Sequence, residues 1–247
     1  MGMLELDRPM ESSMNATAVI TGTSSGIGAA AAQVFLDSGW NVIGLSRRPC
    51  PVKAVQWLCV DFLKADWEAG LLPRIKKELP AKGRICLIHN AAMMHKDRAV
   101  DMDIMALRDT LELNVVTPCA LNNILWPMMT PESSILYVGS TLSEKAVANT
   151  ASYVASKHAI AGLMRATTQD LIGTGIHSAA ICPGFTATEM LLTHVGDNPE
   201  VRAFLEGMST FNRLIEPVEI AKSLLFCAEN PVINGSLIHA NLGQVER

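Results

Sequence analysis

Seven short, nearly all-apolar runs recur along the chain, separated by segments of helical composition. The runs are ATAVI (16–20), NVIGL (41–45), AVQWLCV (54–60), RICLIH (84–89), SILYVG (134–139), IHSAAI (176–181) and SLIHA (236–240). Between them lie stretches such as IGAAAAQVFLDSG, WEAGLLPRIKKEL, ASKHAIAGLMRATTQDLIGTG and PVEIAKSLLFCAEN. Strands that are apolar throughout are buried on both faces, which predicts an α/β fold with a parallel sheet covered by helices on each side. The expected rhythm is strand, helix, strand, repeated six times. No internal repeat, low-complexity tract or linker interrupts it, so residues 16–247 read as one domain, preceded by a loose tail at 1–15.

Two stretches depart from this alternation. Residues 186–213 are of mixed polarity and carry Gly196, Pro199 and Gly207; they predict a mobile helical insertion that closes over a substrate. Residues 141–152 (TLSEKAVANTAS) link the fifth run to the next helix. Both lie at the carboxyl edge of the sheet, where open α/β sheets bind ligands.

Composition narrows the function classes. Hydrophobic residues are 49% and charged residues 18%, enough for a sizeable core; aromatics are only 5%, so the core draws on Ala, Val, Ile, Leu and 13 Met. The net charge of −4, without a block of Lys and Arg, points to neither nucleic acid nor membrane. No apolar run approaches the roughly 18 residues of a membrane span, and the acid-bearing N-terminus lacks the core of a signal peptide. Six cysteines without a CxxC suggest a reduced, cytoplasmic setting. Six scattered His without HExxH spacing predict no metal, and the absence of GxSxG argues against a serine hydrolase.

After the first run comes Thr21-Gly22-Thr23-Ser24-Ser25-Gly26-Ile27-Gly28, leading into a helix. Glycines there allow a tight turn, and backbone N–H groups can then approach a pyrophosphate seated on the helix N-terminus. An ordinary Gly-rich turn is the bland alternative, but a strand before and a helix after favour dinucleotide binding. No Lys-Ser or Lys-Thr follows, which disfavours a nucleoside-triphosphatase loop. The second run ends Leu45-Ser46-Arg47-Arg48, with two cations and no acid. An acid at this tip binds a ribose 2′-hydroxyl and a cation accepts a 2′-phosphate, so NADP(H) is favoured over NAD(H). Asp61, followed by Phe62, could bond the adenine amino group, cap the next helix, or both.

Tyr153 and Lys157 stand one helical turn apart. A phenol of pKa near 10 is a poor base at neutral pH; a neighbouring ammonium, together with the charge of an oxidised nicotinamide, would lower it toward the range that acid–base catalysis uses. Ser140 closes the fifth run, where its hydroxyl could hold a substrate oxygen. Asn114 lies within a helical stretch, LELNVV, among apolar neighbours. It is either a buried amide bonded to a local carbonyl or the centre of a helix distortion that holds a water near Lys157.

Taken together, Thr21-Gly22 with Gly26-Ile27-Gly28, Asp61, Asn90-Ala91-Ala92, Asn114, Ser140, Tyr153-x-x-x-Lys157 and Pro183-Gly184 with Thr188 resemble the short-chain dehydrogenase/reductase family. The resemblance spans about residues 16–243. It implies a three-layer, doubly wound Rossmann fold with a seven-stranded parallel sheet, assembled as a homodimer or homotetramer. It implies an NADP(H)-dependent enzyme interconverting a carbonyl and an alcohol, with Tyr153 as general acid in reduction and base in oxidation. Lys157 would bind the nicotinamide ribose and lower the tyrosine pKa, Ser140 would orient the carbonyl, and Asn114 would support a water relay. Gly22, Ser24, Ser25, Ile27, Gly28, Asn90, Ala91, Ala92, Pro183, Gly184, Thr186 and Thr188 would line the cofactor. The sequence departs from the family pattern at Ala92, usually Gly, and at Asn241-Leu242-Gly243, usually Asp-Gly-Gly. Two rivals stay open: an idle relative serving as a dinucleotide sensor or scaffold, and an NAD-dependent alcohol dehydrogenase. The expected substrate rim comprises Met93, Met94, Leu142, Phe185, Met190 and Leu191, with Glu144, Lys145 and His95 as polar contacts.

Overall fold

The computed structural model describes residues 16–196 and 198–245; the expected tail at 1–15 lies outside the described residues. Seven strands form one parallel sheet: β1 (Ala16–Thr21), β2 (Asn41–Ser46), β3 (Gln56–Cys59), β4 (Arg84–His89), β5 (Ser134–Val138), β6 (His177–Pro183) and β7 (Leu237–Ala240). Their order is β3-β2-β1-β4-β5-β6-β7. The chain starts in the middle, winds out to β3, then returns to the other side of β1. The direction of winding therefore reverses between β1 and β4, and the crevice at their carboxyl ends is where such sheets bind ligands.

Eight α-helices are described: α1 (Gly26–Asp37), α2 (Trp67–Glu78), α3 (Ile104–Leu111), α4 (Thr117–Leu125), α5 (Ala151–Asp170), α6 (Glu189–Val195), α7 (Pro199–Glu206) and α8 (Pro217–Glu229). The period-two alternation of the strands divides the core into two layers. On one side Ala18 and Ile20 of β1 pack with Cys86, Ile88 and Leu136 beneath Phe35 of α1 and Ile220 and Leu224 of α8. On the other, Val19 of β1 joins Leu45, Leu87, Ile135 and Tyr137 beneath Leu71, Leu121 and Met164 of α2, α4 and α5. A one-residue slip of β1 would exchange these sets between layers, so burial on both faces specifies the register.

Three expectations need correction. The alternation breaks between β2 and β3, where residues 47–55 cross without a helix. Pro49 and Pro51 remove two amide donors and push their predecessors toward extended backbone. Strand β3 is shorter than the run 54–60 because it pairs only with β2 at the sheet edge, and Gln56 and Cys59 are exposed. The helical stretch expected around Asn114 is interrupted by a π-helical turn at Glu112–Val116. The insertion expected at 186–213 contains α6 and α7. Among the described residues, no helix is long and apolar enough to cross a membrane.

Candidate active site

The phosphate end of the crevice is made by small residues that lock two strand tips together. The Thr21 hydroxyl, at the end of β1, accepts from the backbone N–H groups of Asn90 and Ala91, each at 2.9 Å. The Asn90 side chain returns the contact by donating to Thr21 O at 2.9 Å. Glycine is required at position 28 by close approach: a Cβ there would overlap Gly22 O and stand 2.6 Å from Asn90 Nδ2. Helix α1 therefore starts directly above the tips of β1 and β4. Its N-cap, Ser25, is extended and makes no side-chain capping bond, so the orphan N–H groups of the first turn remain available to an anion. This uncapped terminus over a glycine-lined cradle fits a pyrophosphate. Gly22, Ser24, Ser25, Gly26 and Ile27 belong to that turn. Ala92 follows β4, while Pro183, Gly184, Thr186 and Thr188 close the same edge from the end of β6. Thr188 packs on the turn, its methyl 3.1 Å from where a Cβ on Gly26 would lie.

At the ribose end, Arg47 and Arg48 are exposed at the tip of β2. Arg48 Nη2 donates to Glu189 Oε2 at 2.9 Å. Asp61 accepts from Leu63 N at 3.3 Å, but α2 begins later and its N-cap is Asp66, so the helix-capping role considered for Asp61 is not observed. The Phe62 side chain is buried in the core, edge-on to Trp67 at 4.9 Å. Only its backbone is left to meet a cofactor.

The proposed chemistry gathers where β5 ends and α5 begins. Lys157 is buried; its Nζ donates to Val138 O at 2.7 Å and lies 5.4 Å from the centre of the Tyr153 ring. Ser140 starts a short 3-10 turn, its Oγ accepting from Leu142 N at 3.1 Å while its own N–H donates to Ser143 Oγ at 3.1 Å. Burial pushes the Tyr153 phenol up to about 12, against the opposing pull of a side-chain hydrogen bond with Ser140. The lowering expected from Lys157 together with an oxidised nicotinamide is therefore not present in the protein alone. In the protein alone, desolvation of the phenolate outweighs stabilisation, and the ammonium sits over the ring while bonded to a carbonyl. Burial also lowers Lys157, to about 8.

Asn114 lies in the π-helical turn, and its side chain is fully engaged. Its Nδ2 donates to Met93 O and Ser156 Oγ, and its Oδ1 accepts from Met93 N, all at 2.9 Å. The carbonyl it satisfies is therefore not local: Asn114 ties the segment after β4 to α5, between Tyr153 and Lys157. Ser156 Oγ in turn donates to Tyr153 O at 2.8 Å.

Around this centre Met93, Met94, Leu142, Phe185 and Leu191 are half-buried, and Met190 is at the exposed limit of the rim. Glu144 is not the pocket contact expected. It pairs with His239 of β7 at 2.8 Å and reaches Arg165 of α5 at 3.9 Å. His95 opens instead on a cavity of about 730 Å³ shared with Lys96, Asp97 and Arg98. Lys145 is half-buried beside Glu144. Asp97 escaped sequence reasoning. Its Oδ1 accepts from Ser152 N at 3.0 Å, and its backbone exchanges bonds with Asn149 O and Ala151 N, so it positions the turn that delivers Tyr153. A cap supplied from so far away in the chain has no local signal. Among the described residues, no group of three or more His, Cys, Asp and Glu is placed to hold a metal.

These features coincide with the reach of a family model described as enoyl-(acyl carrier protein) reductase, which matches residues 22–244. The chain belongs to the short-chain dehydrogenase/reductase family. Membership places it among oxidoreductases acting on alcohol and carbonyl groups. This short-chain dehydrogenase/reductase is 29% identical to protein FixR of Bradyrhizobium diazoefficiens, over 92% of the chain and 85% of that protein. It is 27% identical to cis-4-hydroxycyclohexanecarboxylate dehydrogenase of Sinomonas cyclohexanicum, over 86% and 89%. Among solved structures, a short chain dehydrogenase family protein from Francisella tularensis superposes with a TM-score of 0.82 at 26% identity, covering 93% of this chain and 98% of the other.

Proposed function

We propose that the protein is an NADP(H)-dependent oxidoreductase that interconverts a carbonyl and an alcohol, with Tyr153 as the proton-transfer residue. The observation that carries this reading is the convergence of Tyr153, Lys157 and Ser140 at one sheet edge, beside a cradle suited to a dinucleotide pyrophosphate. When bound, the nicotinamide supplies or takes the hydride. The chain does the rest.

In reduction, Ser140 donates to the substrate oxygen and aims the carbonyl, and the Tyr153 phenol gives that oxygen its proton. A phenol held near 12 is fully protonated at neutral pH, which suits an acid. In oxidation the phenol must first ionise, and the Lys157 ammonium stabilises the phenolate. With a pKa of about 8, Lys157 is mostly charged at pH 7 and loses that charge as pH rises past 8. Lys157 also holds the nicotinamide ribose, and Asn114, by fixing the Met93 segment against α5, supports a water relay. Arg47 and Arg48 favour the 2′-phosphate form of the cofactor. The half-buried methionines and leucines of the rim favour an apolar substrate body around the reacting carbon.

Tyr153→Phe tests the assignment. The ring remains, so fold and cofactor affinity should be kept, while turnover should fall by about 10²–10⁴-fold, as on loss of a general acid. Near-normal turnover on a proven substrate would show that a group other than Tyr153 transfers the proton, and no turnover by the wild type on any alcohol or carbonyl would favour the sensor reading.

Residues 16–247 act as one catalytic domain, and six free cysteines suit a cytoplasmic setting. We assign a homodimer or homotetramer, because Ile104, Met105, Val116 and Trp126 are all exposed along the α3–α4 segment. Light scattering should return a multimer at micromolar concentration, and a monomeric mass would overturn the assignment.

A further inference from the structure

Arg48 does not stand alone at the tip of β2. Its bond to Glu189 brings a side chain from the first turn of α6 across the mouth of the cofactor cradle, 2.9 Å from Nη2 to Oε2. The Glu189 carboxyl is held below the usual carboxylate range by Arg48 first and by the Ser25 hydroxyl second, which puts it near the opposite wall as well. Ser25 is the N-cap of α1 that makes no capping bond of its own. Thr188, the preceding residue, packs on Gly26 and caps α6 by accepting from Leu191 N at 3.3 Å. The position of Glu189 over the cradle is thus anchored by its neighbour. One carboxylate pairs with the cation suited to a 2′-phosphate and stands near the hydroxyl at the pyrophosphate corner.

We propose that Glu189 is a specificity-determining residue for the cofactor, an internal anion that competes with the 2′-phosphate of NADPH for Arg48. The proposal rests on the reading of Arg47 and Arg48 as 2′-phosphate ligands and deepens it. The two arginines are then unequal. Arg47 has no carboxylate partner among the described residues and attracts the phosphate unconditionally. The charge of Arg48 is already neutralised, so NADPH must exchange one anion for another and leave a carboxylate beside a dianion. NADH has no such group and can bind with the Arg48–Glu189 pair intact. The pair is solvent-exposed, with 65% and 58% of the two side chains accessible. Exposed pairs are weakly held and screened by salt, so the exchange is possible but not free. Glu189 therefore narrows the cofactor preference that the two arginines would otherwise impose.

The test is a fluorescence titration of NADPH and NADH against the wild type, Glu189→Gln, Glu189→Ala and Arg48→Gln, at low and high salt. Both Glu189 variants should bind NADPH about 2–5-fold more tightly, with NADH affinity unchanged, a gain on the scale of one exposed charge pair. High salt should shrink the gain. The sites are exposed, and matching urea unfolding curves will establish that the variants are folded. If Arg48→Gln lowers the NADPH-to-NADH affinity ratio while neither Glu189 variant raises it, the competition is refuted and the cofactor reading survives. If Arg48→Gln leaves the ratio unchanged, Arg48 is no 2′-phosphate ligand and the inference falls as well. An equal gain for both cofactors would also overturn it, because Glu189 would then oppose the shared pyrophosphate rather than the 2′-phosphate.

Discussion

The floor and the roof of the crevice are built on opposite principles. The floor, formed by the tips of β1 and β4 with the start of α1, consists of backbone and short side chains held at contact distance. The Thr21 hydroxyl and the Asn90 amide engage backbone groups of the neighbouring strand tip, and at Gly28 even a methyl group has no room. The roof, α6 and α7, carries Met190, Leu192, Val201 and Phe204 in exposed positions, and no residue of α7 is buried. Its described tie to the β2 tip is a solvent-exposed ion pair. A floor of this kind accepts an invariant fragment such as a pyrophosphate; a roof with so little buried area can vary its shape with the ligand. Precision is concentrated where the ligand is constant.

Acid stability offers the strongest way to break this comparison. His89, the last residue of β4, is part of the floor. Its Nε2 bonds to Asn122 Oδ1 at 2.8 Å, its ring stacks on Tyr137 at 4.8 Å, and burial lowers its pKa to about 4. The unfolded chain, with an ordinary His near 6.5, then binds more protons than the native state between pH 6.5 and 4. Stability should be complete above 6.5 and lost progressively as pH falls toward 4, by about 3 kcal/mol for a shift of this size. Urea unfolding at pH 7 and pH 4.5 should show this loss in the wild type and a smaller one in His89→Gln. Equal pH dependence in the two proteins would remove His89 as the sensitive element.

A smaller effect sharpens the comparison from the side of the roof. Phe204 is exposed on α7, so Phe204→Ser should leave the unfolding free energy within about 0.5 kcal/mol of wild type. If α7 folds onto the substrate, the same change should raise KM for an apolar substrate while leaving cofactor affinity unaltered. A loss of stability well beyond that bound would show that Phe204 is packed in solution and that the roof is as built as the floor.

The contrast also explains what was legible in the sequence. Strands such as Arg84–His89 stand where their apolar runs predicted, because burial on both faces leaves a continuous signal. The glycine turn was legible because strand, turn and helix are contiguous. Errors arose where the deciding partner lies elsewhere in the chain. Asp97 caps α5 from a distant loop, Glu144 turns to His239, and Glu189 finds Arg48 across the crevice. None of these pairings has a local spacing to betray it. The tyrosine pKa is legible only in part for a related reason: the Lys157 spacing can be read from a string, but the desolvation that dominates Tyr153 in the protein alone exists only once the fold surrounds it. Pro49 and Pro51, by contrast, were a readable warning that the second crossover holds no helix.

The π-helical turn at Glu112–Val116 carries a consequence for insertions and deletions. A π-helical turn holds about one residue more than an α-helical turn, so removing one residue there would restore ordinary winding and leave everything downstream in phase. Leu121 and Leu125, buried in the core from α4, would keep their places, while Asn114 would lose the widened turn that carries it to Met93 and Ser156. The packing of α4 and the Asn114 bridge therefore answer differently to a change in length. A deletion in this segment can spare the core and still break the bridge.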